Sequence, residues 1–592
     1  MGFFARLVRD GLFLLRLIRT YLRIASIGAR STNLAVDDLE RACARFASRS
    51  AIRFEGAELT YSELNARAER FAAWAAEAGL KRGEAVAVLL PNRLDYIPLW
   101  FGLAKLGVVS ALLNYELSGA ALAHCLAISG ARFAVVDETT ETALRDSAGR
   151  PLEVWSLGPS KAGSRDLAGV LSATPKARAY RSLRAGMKAA DTALLMYTSG
   201  TTGLPKAARI AHMRAQLFMR GFLGATGARP SDRIHVSLPL YHATGGLCAA
   251  GAALLGGGCV ILQREFSAHR FFAEILDERA TMFVYVGELC RYLAALPAQA
   301  GERGHALRLA FGNGLSPDVW RTLLDRFAIP RVLEFYGSTE GNVSMFNFDG
   351  KIGAAGRAPR WLAPFFNFAL VRFDAEAEAP ARGKDGRCQR ARPDEIGELI
   401  GRIGTSSRDA FHGYARAAQT RKKVLDDVFA KGDAWFSSGD LMRQDEEGYF
   451  FFVDRVGDTF RWKGQNVSTN EVAEEILRVA GVKEAAVYGV RVGDLEGRAG
   501  MAALVVDPTF DLAAFGAHLD AALPHYAAPV FLRLEEAIAK TGTFKVRKTA
   551  LQEEGFDPAR VSGALFFRPA GGPFEPLTPD VRAEILAGAV RL

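Results

Sequence analysis

From about residue 38 onward, short apolar runs alternate with longer stretches in which apolar residues recur at helical spacing. The runs Ala85–Leu90 and Phe133–Val136 are typical of buried strands, because each is short and is bounded by polar or turn residues. Ahead of them, Thr60 and Glu63 form the pattern of a capping box before an alanine-rich helix that continues to Ala78. Strands that alternate with helices predict an α/β fold, in which mixed or parallel sheets are flanked by helices.

The first thirty residues have a different pattern, in which arginines interrupt an apolar stretch. On a helix that turns about 100° per residue, residues 3–27 separate into a basic side and a mostly apolar side. The basic side contains Arg6, Arg9, Arg16, Arg19 and Arg23, and the apolar residues that lie mostly elsewhere are Phe3, Phe4, Leu7, Leu14, Leu15 and Leu22. Charges interrupt every window of ~20 residues, so we expect neither a spanning helix nor a signal peptide. The pattern favours a basic amphipathic helix in the membrane interface, and the alternative is a helix docked on the protein's own surface.

A second apolar stretch, residues 243–262, is long enough to span a bilayer. Its glycines weaken a lone helix, which argues against a membrane span. The triplet Gly256–Gly258 predicts that the stretch divides into a buried helix and a strand from Cys259 to Leu262.

A boundary is predicted near residues 454–458, which follow an aromatic strand. Beyond it, the pattern predicts a helix near Thr469–Val479 and strands near Ala485–Val490 and Met501–Val506. We therefore predict a membrane-associating segment (1–30), a large N-terminal domain (31–455) and a smaller, mobile C-terminal α/β domain (456–592).

Charge is concentrated at the N-terminus. Of the net charge of +9, six arginines and one aspartate in residues 1–30 contribute +5, which leaves +4 for the other residues. This distribution gives little support to nucleic-acid binding and more to contact with a membrane surface. The six cysteines have no C-x-x-C spacing, so we expect reduced, mostly buried cysteines of an intracellular protein and no zinc site.

The densest chemical signal follows the apolar run Ala193–Met196, which we predict to be a buried strand. The run leads into hydroxyl residues, glycines and a lysine, namely Tyr197, Thr198, Ser199, Gly200, Thr201, Thr202, Gly203 and Lys206. Glycines let backbone N–H groups converge on one point, and hydroxyls with an ammonium group complete a phosphate site. The string is not a Walker loop, because Ala207 rather than Ser or Thr follows the lysine.

This string resembles the phosphate loop of the adenylate-forming superfamily, which includes acyl-CoA synthetases, luciferases and the adenylation domains of peptide synthetases. The ending Lys206-Ala207-Ala208 is similar to that of the fatty acid transport protein and very-long-chain acyl-CoA synthetase family. The resemblance covers roughly residues 50–560. Relatives in this family are often membrane-associated through their N-terminus, which is a further reason to expect association with the cytoplasmic face of a membrane.

The resemblance implies roles for the string Glu334-Phe335-Tyr336-Gly337-Ser338-Thr339-Glu340. Tyr336, beside Gly337, would stack on adenine. Thr339 would contact the α-phosphate, and Glu340 would help to hold Mg²⁺ through a carboxylate oxygen.

Four further sites are implied in the same way. Gly312, Asn313 and Gly314 would form one wall of the adenine pocket. Asp440 would accept both ribose hydroxyls, and Arg455 would lie near ribose and phosphate. His242 matches a position beside the acyl carboxylate.

The string Asp454–Thr469 resembles the hinge of the fatty acid transport protein family. Gly457 stands where most of the superfamily has Asp or Lys, and glycine absorbs large changes of φ and ψ. Lys463 and Gly464 are assigned to coenzyme A, because Gly464 would let the backbone approach the pantetheine arm. Lys545 would be the mobile cation of the first half-reaction, although most relatives have Ser-Gly-Lys there and Lys548 is close enough to be an alternative. Taken singly, either lysine could simply be solvated, and this is the interpretation used for Lys548.

The resemblance therefore implies an ATP- and Mg²⁺-dependent ligase that joins long-chain or very-long-chain fatty acids to coenzyme A, with a link to fatty acid uptake. Three alternatives share these motifs. They are a ligase for bile acid, carnitine or another bulky carboxylic acid, a fatty acid transport or trapping protein, and an acyl-AMP ligase that loads a carrier protein.

Overall fold

The computed structural model describes residues 3–149, 151–160, 162–173, 180–198, 204–374, 377–463, 465–493, 495, 497–540 and 546–592. The fold is α/β, as predicted. The helices are α1 (Phe3–Ile24), α2 (Ala35–Arg45), α3 (Tyr61–Glu77), α4 (Tyr96–Lys105), α5 (Gly119–Ser129), α6 (Glu141–Ser147), α7 (Leu167–Ala173), α8 (His212–Thr226), α9 (Ala250–Gly256), α10 (Phe271–Asp277), α11 (Gly287–Ala295), α12 (Pro317–Asp325), α13 (Ala417–Arg421), α14 (Thr469–Ile476), α15 (Leu512–Ala522), α16 (Lys548–Glu554) and α17 (Pro579–Leu586).

The strands are short, mostly three to nine residues. They are β1 (Ser50–Phe54), β2 (Ala57–Thr60), β3 (Ala85–Val88), β4 (Val109–Leu112), β5 (Phe133–Val136), β6 (Glu153–Ser156), β7 (Arg165–Asp166), β8 (Thr192–Thr198), β9 (Lys206–Ala211), β10 (Arg233–Val236), β11 (Cys259–Leu262), β12 (Met282–Val286), β13 (Leu309–Asn313), β14 (Val332–Gly337), β15 (Ser344–Phe346), β16 (Gly356–Arg357), β17 (Phe368–Asp374), β18 (Ala379–Pro380), β19 (Ile396–Arg402), β20 (Val424–Asp426), β21 (Ala434–Gln444), β22 (Tyr449–Arg455), β23 (Phe460–Trp462), β24 (Gln465–Val467), β25 (Val482–Val490), β26 (Ala499–Val506), β27 (Phe531–Leu534), β28 (Leu565–Phe567) and β29 (Glu575–Pro576).

The local sequence signals correctly predicted several elements. Thr60 caps α3, since its side chain accepts the Glu63 N–H while the Glu63 carboxylate accepts the Thr60 N–H. The apolar run after Asp191 became β8, which is buried through most of its length. The glycine-rich stretch 243–262 divides as predicted, because a π-helix (Thr244–Ala249) and α9 precede β11. Among the described helices, none combines the length and the apolar character that crossing a bilayer requires.

The chain packs as two compact units. The first comprises Met1–Asn367, Gly401–Leu425 and Ala434–Phe436, and the second comprises Phe368–Ile400, Asp426–Asp433 and Ser437–Leu592. The predicted division at residues 455 and 456 stays a prediction.

Two sheets form the first unit, in the orders β15-β14-β13-β12-β10-β11-β1-β2 and β7-β6-β5-β3-β4-β8-β9. Their inner strands are parallel, for example β13 with β14 and β4 with β8. Because parallel strands end at the same edge, the turns that follow β13 and β14 lie side by side, and this is where ligands bind in open α/β sheets.

The second unit contains the strand order β22-β21-β19-β17-β18, the pair β23-β24 and the sheet β25-β26-β27-β28-β29. Its apolar core includes Val472 and Ile476 of α14 packed with residues of β25 to β28. The predicted helix near Thr469 and the predicted strands near Ala485 and Met501 are therefore confirmed as α14, β25 and β26.

Helix α1 docks on the first unit, which is the alternative that the sequence left open. Its Arg19 donates hydrogen bonds to the carbonyls of Gly224 and Ala225, at 2.7 and 3.1 Å, and so satisfies the C-terminus of α8. A Cβ atom on Gly224 would lie 2.6 Å from Thr20 Cα, so the two helices touch through the glycine. Part of the predicted arginine face therefore contacts protein carbonyls, although Arg19 itself stays partly exposed to solvent.

Candidate functional site

The two ends of the phosphate string lie on paired antiparallel strands. Thr198 at the end of β8 pairs with Lys206 at the start of β9 in this hairpin. Tyr197 is buried and donates a hydrogen bond to the Cys125 carbonyl at 3.1 Å, which fixes the strand to α5. Burial raises the pKa of its phenol well above the usual value. The predicted residues Ser199, Gly200, Thr201, Thr202 and Gly203 lie outside the described residues.

Tyr414 connects this hairpin to the predicted Mg²⁺ ligand. Its hydroxyl donates a hydrogen bond to Glu340 Oε1 at 2.9 Å, and Lys206 Nζ lies 5.7 Å from the centre of its ring. Burial and the neighbouring Glu340 raise the pKa of the Tyr414 phenol, so the phenol stays neutral and can donate. The segment is held in place because the Ala415 N–H donates to the Ala207 carbonyl at 2.8 Å.

A tight turn over residues 338–341, called the signature turn below, follows β14 and presents Thr339 and Glu340. The Ser338 hydroxyl accepts the Gly341 N–H at 3.1 Å, which leaves Thr339 and Glu340 at the tip of the turn. A Cβ atom on Gly341 would lie 2.5 Å from the Phe436 ring, so only glycine fits there. Tyr336 and Gly337 are the last residues of β14, and Gly337 is exposed. The structure thus brings Tyr336, Thr339 and Glu340 together at one strand end.

The predicted adenine wall follows the neighbouring strand, β13. Gly314 has φ of +81°, and a Cβ atom on Gly312 would lie 2.2 Å from the Tyr285 carbonyl oxygen. Asn313 Oδ1 is buried without a hydrogen-bond partner among the described residues. An orphaned acceptor at this position suits the exocyclic amino group of adenine, which supports the assignment of the wall.

A buried carboxyl supports the wall from behind. Glu334, which is 4% exposed, accepts a hydrogen bond from the Tyr285 hydroxyl and one from the Leu315 N–H at 3.1 Å. Burial raises the pKa of Glu334 to about 8, so the carboxyl is mostly protonated at neutral pH. This neutral pair fixes the strands that carry Gly314 and Tyr336.

His242 precedes the π-helix Thr244–Ala249 and is half-buried. Its carbonyl accepts the Gly246 N–H at 2.8 Å, and its ring packs on Tyr241 with centroids 4.4 Å apart. The loop before it is fixed by the buried Asn92, which accepts the Leu240 N–H and donates to the Leu238 carbonyl. π-Helical turns are frequent at functional sites, and here the turn orients the histidine loop.

Arg214, on α8, lies beneath the signature turn. One of its terminal nitrogens donates to the Ser338 carbonyl at 2.9 Å, and its guanidinium carbon is 4.4 Å from the centre of the Phe218 ring. The side chain is only 7% exposed, and its Nε has no hydrogen-bond partner among the described residues. Burial lowers the pKa of the guanidinium to about 10, so it remains a cation at neutral pH.

In the second unit, Asp440 and Arg455 face each other across β21 and β22. They are paired in the ladder, and Arg455 Nε lies 3.3 Å from Asp440 Oδ1. Asp440 is 6% exposed, whereas about a third of the Arg455 side chain is exposed. The predicted ribose acceptor and its arginine are therefore brought together.

The predicted hinge residue, Gly457, lies two positions after Arg455. Gly457 has φ of +93°, a conformation that favours glycine, and no atom lies within 4 Å of the position of a Cβ atom. Just before it, the fully buried Asp454 accepts hydrogen bonds from the Thr469 N–H at 2.5 Å and from the Asn470 amide at 2.8 Å. Burial raises the pKa of Asp454, and Lys548 partly offsets this rise.

Lys548 is not the solvated lysine expected from the sequence. Its Nζ donates to Thr469 Oγ1 at 2.7 Å and lies 3.9 Å from Asp458, and only 16% of its side chain is exposed. The reason is that α16 places it over the N-terminus of α14, where a buried carboxylate needs a counter-charge. Lys545 lies outside the described residues, and so does Gly464. Lys463 is exposed, with φ of +49° and its Nζ 5.8 Å from the Trp462 ring centre.

Four residues of the site were missed from the sequence, namely Asn92, Arg214, Glu334 and Tyr414. Arg214 had a usable signal, because an arginine interrupts a helix in which most positions are apolar or small. Tyr414 had none, since it follows an irregular segment with no periodic pattern.

Comparison with known proteins agrees with this geometry. A family model described as AMP-binding enzyme matches residues 39–387, and one described as AMP-binding enzyme C-terminal domain matches residues 471–545. Long-chain fatty acid transport protein 6 of Mus musculus is 39% identical over 98% of this chain and 95% of its own length. Long-chain fatty acid transport protein 3 of Homo sapiens is 42% identical over 87% of this chain and 76% of its own length.

Two solved structures show the same fold. ATP-bound MatB from Rhodopseudomonas palustris is 26% identical, with a TM-score of 0.73 over 88% of this chain and 98% of that one. The fatty acyl CoA synthetase of Mycobacterium tuberculosis is 23% identical, with a TM-score of 0.61 over 88% and 98%. Since the first family model covers over half of the chain and the relatives align along most of it, the chain belongs to the adenylate-forming AMP-binding enzymes, in the fatty acid transport protein and very-long-chain acyl-CoA synthetase family.

Proposed function

We propose that the protein is an ATP-dependent ligase that joins long-chain or very-long-chain fatty acids to coenzyme A through an acyl-adenylate. The observation that supports this most directly is the contact of Tyr414 with both Glu340 and Lys206. It connects the phosphate hairpin to the signature turn in a chain whose relatives are named long-chain fatty acid transport proteins.

The first half-reaction needs charge control more than acid–base chemistry. A fatty acid is ionised at neutral pH because carboxyl pKa values are near ~4, so no general base is needed. The carboxylate oxygen forms a bond to the α-phosphorus of ATP, the bond to the β-phosphate oxygen breaks, and pyrophosphate leaves. Lys206 and the hairpin would hold the β- and γ-phosphates, Thr339 would contact the α-phosphate, and Lys545 would stabilise the charge that develops.

Glu340 fits the role of a magnesium ligand. It offers one half-buried carboxylate whose second oxygen remains available while Tyr414 donates to the first. Nucleotide-bound Mg²⁺ is held by one or two carboxylates together with phosphate oxygens and water, so a single glutamate suffices. When bound, the ion would neutralise phosphate charge as the two anions meet.

In the second half-reaction the thiol sulfur of coenzyme A would attack the acyl carbon of the adenylate, AMP would leave, and the thiol proton would pass to solvent. Lys463 and Gly464 would lie along the pantetheine arm, after rotation about Gly457 has moved Lys545 away. Ribose would stay bound to Asp440 and Arg455 throughout. A ligase for bile acid, carnitine or another bulky acid would use the same groups, so the acyl substrate is what needs testing.

The test of this proposal combines two assays of purified protein. Fatty-acid-dependent exchange of pyrophosphate into ATP should fall by about 10² or more in Glu340→Ala and in Asp440→Ala, because each loses a charged contact to ion or ribose. Near-wild-type exchange in both variants would remove the site assignment. Thioester formation across acids of graded chain length should favour long chains, and preference for a short or bulky acid would overturn the substrate class.

We also propose that a membrane surface is a partner, through the outer face of α1. The apolar side chains on this face are largely exposed and recur every three or four residues, namely Phe4, Leu7, Val8, Leu12, Leu15, Ile18 and Leu22. Exposed Arg6, Arg23 and Arg30 lie near its ends. An apolar stripe flanked by arginines suits the headgroup and acyl boundary of an anionic bilayer.

Substitutions test this better than deletion of residues 1–30, which would also strip Arg19 from the end of α8. The double variant Leu15→Glu/Leu22→Glu should no longer co-sediment with vesicles that contain phosphatidylserine, because both side chains are about two-thirds exposed. Leu183→Glu is the matched control, since Leu183 is 54% exposed elsewhere on the first unit. Equal vesicle binding by the double variant and the control would exclude α1 as the contact.

A further inference from the structure

The first unit contains a buried cation, Arg214, for which the described part of the chain supplies no carboxylate partner. Arg214 is more than nine-tenths buried, and among the described residues no Asp or Glu lies within ion-pair distance of it. Among the described residues it donates one hydrogen bond, to the Ser338 carbonyl, and its Nε has no acceptor. A buried guanidinium normally acquires a carboxylate, since a charge out of water costs several kcal/mol.

Other arginines of the same helix and its surroundings show that the fold can supply such partners. Arg220, six residues further along α8, binds Asp38 through two hydrogen bonds at 2.7 and 2.6 Å. Arg184 likewise binds both Asp37 and Glu40. Arg214 therefore differs from its neighbours in what surrounds it, and this difference needs a reason.

The surroundings of Arg214 lie where the two reacting groups would meet. On one side it contacts Ser338, the residue before Thr339, which is the proposed contact of the α-phosphate. Its helix, α8, also packs against the π-helix Thr244–Ala249, which follows the His242 loop. Arg214 thus joins the proposed nucleotide side of the site to the proposed acyl side.

The nearby titratable groups do not cancel its charge. Burial raises the pKa of the Cys248 thiol and lowers that of His412, so both are neutral at pH 7. Glu340 interacts with Arg214 only at longer range and accepts the Tyr414 hydroxyl. Arg214 therefore remains a buried cation without a close counter-ion among the described residues, which favours binding of an anion such as a carboxylate.

Resting on the proposed function, we propose that Arg214 binds the carboxylate of the acyl substrate and orients it toward the α-phosphate. One arm of the guanidinium is held by Ser338, and the Nε edge can donate to a carboxylate oxygen in the plane of the fork. The second carboxylate oxygen stays free to attack phosphorus. This contact would also reduce the repulsion between the incoming anion and ATP.

The contact predicts a kinetic pattern that a structural role does not. In Arg214→Gln and Arg214→Lys, KM for the fatty acid in pyrophosphate exchange should rise about ten- to a hundredfold, while KM for ATP should change less than about threefold. Thioester formation from supplied acyl-adenylate should be spared, because the adenylate has no free carboxylate. Arg220→Gln is the control, since it removes an arginine of the same helix that is mostly buried but is paired with Asp38.

A competition experiment gives a readout of charge alone. The long-chain alcohol of matching length, which lacks the carboxylate, should inhibit wild type far less than a non-reactive acid analogue does, and Arg214→Gln should lose most of this preference. An unchanged preference, or an equal rise of both KM values, would overturn the role of Arg214. The KM values and the inhibitor preference of each variant are compared with those of wild type, measured with an acid that wild type activates. If wild type shows no acid-dependent exchange with any acid, the result counts against the proposed function instead.

Discussion

A buried charged residue lies near the proposed chemistry in each unit, Arg214 in the first and Asp454 in the second, and their surroundings differ. Asp454 in the second unit accepts hydrogen bonds from three N–H groups, of Arg455, Thr469 and Asn470, and lies beside Lys548. Arg214 in the first unit donates one hydrogen bond, to the Ser338 carbonyl, and has no carboxylate partner among the described residues.

This difference separates two uses of buried charge. When the fold itself supplies the partners, the group holds elements together, as Asp454 ties the end of β22 to the N-terminus of α14. When the fold supplies no counter-ion, as at Arg214, the charged group remains able to bind an anionic ligand. Removing a partnered charge should therefore lower the free energy of unfolding, and removing an unpartnered one should change the kinetics of a half-reaction.

The largest contrast is expected between the two neighbouring lysines. Lys545→Ala should slow acyl-adenylate formation by a factor of about 10²–10³, because it removes a contact to the charge that develops during the reaction. Thioester formation from supplied acyl-adenylate should be spared. Lys548→Ala should lower the melting temperature without favouring either half-reaction, because its ammonium serves Thr469 and Asp454. Separate assays of the two half-reactions decide this, and a step-specific defect in Lys548→Ala would reverse the assignment.

Removing the partnered carboxylate should mainly cost stability. Asp454→Ala leaves the Thr469 N–H and the Asn470 amide without their acceptor at the start of α14, so we expect the free energy of unfolding to fall by about 2–4 kcal/mol. Urea unfolding of the purified variant measures it. Asp458→Ala is the comparison, since its carboxylate lies 3.9 Å from Lys548 and should cost less than about 1 kcal/mol.

A smaller, kinetic effect is expected at Tyr414. Tyr414→Phe keeps the ring beside Lys206 but removes the hydrogen bond to Glu340, so the Mg²⁺ concentration for half-maximal pyrophosphate exchange should rise about tenfold. Titration with Mg²⁺ at saturating ATP measures the change. A variant with unchanged Mg²⁺ dependence would show that the phenol does not act through Glu340.

A pH-dependent effect on stability is expected at Glu334, which is buried but neutral. A carboxyl whose pKa is raised from 4.5 to about 8 in the folded state stabilises most below the unfolded value, and this contribution is lost as pH rises through the folded value. Stability should therefore decline between about pH 5 and 8 by up to ~1.4 kcal/mol per unit from this group. Glu334→Gln, which mimics the protonated form, should flatten that slope in urea melts, and an unchanged slope would assign it to other groups.

The elements were predictable because their signals are local. The capping box at Thr60, the four-residue run that became β5 and the glycines that end α9 depend only on neighbouring residues. The docking of α1 was not predictable in this way, since Arg19 meets carbonyls of residues more than two hundred positions away.

The candidate site divides along the same line. Motif residues such as Asp440 and Arg455 are found as strings, and the structure pairs them across two strands. Arg214 and Tyr414 belong to no string, because their positions depend on how α8 and the segment at Gly413 pack against the signature turn. Lys548 shows the limit of local sequence in another way. A lysine in a polar stretch is typical of a solvated surface, but the fold brings Lys548 against Thr469.

The contact between α1 and α8 also has a consequence in time. Arg19 and Gly224 are 205 residues apart, so at about 5–20 residues per second the ribosome makes α8 roughly 10–40 seconds after α1. During that interval the arginine side of α1 has no carbonyls to bind, while the apolar side is already complete. A nascent chain therefore offers its apolar stripe to a bilayer or a chaperone well before the first unit can fold around the other side.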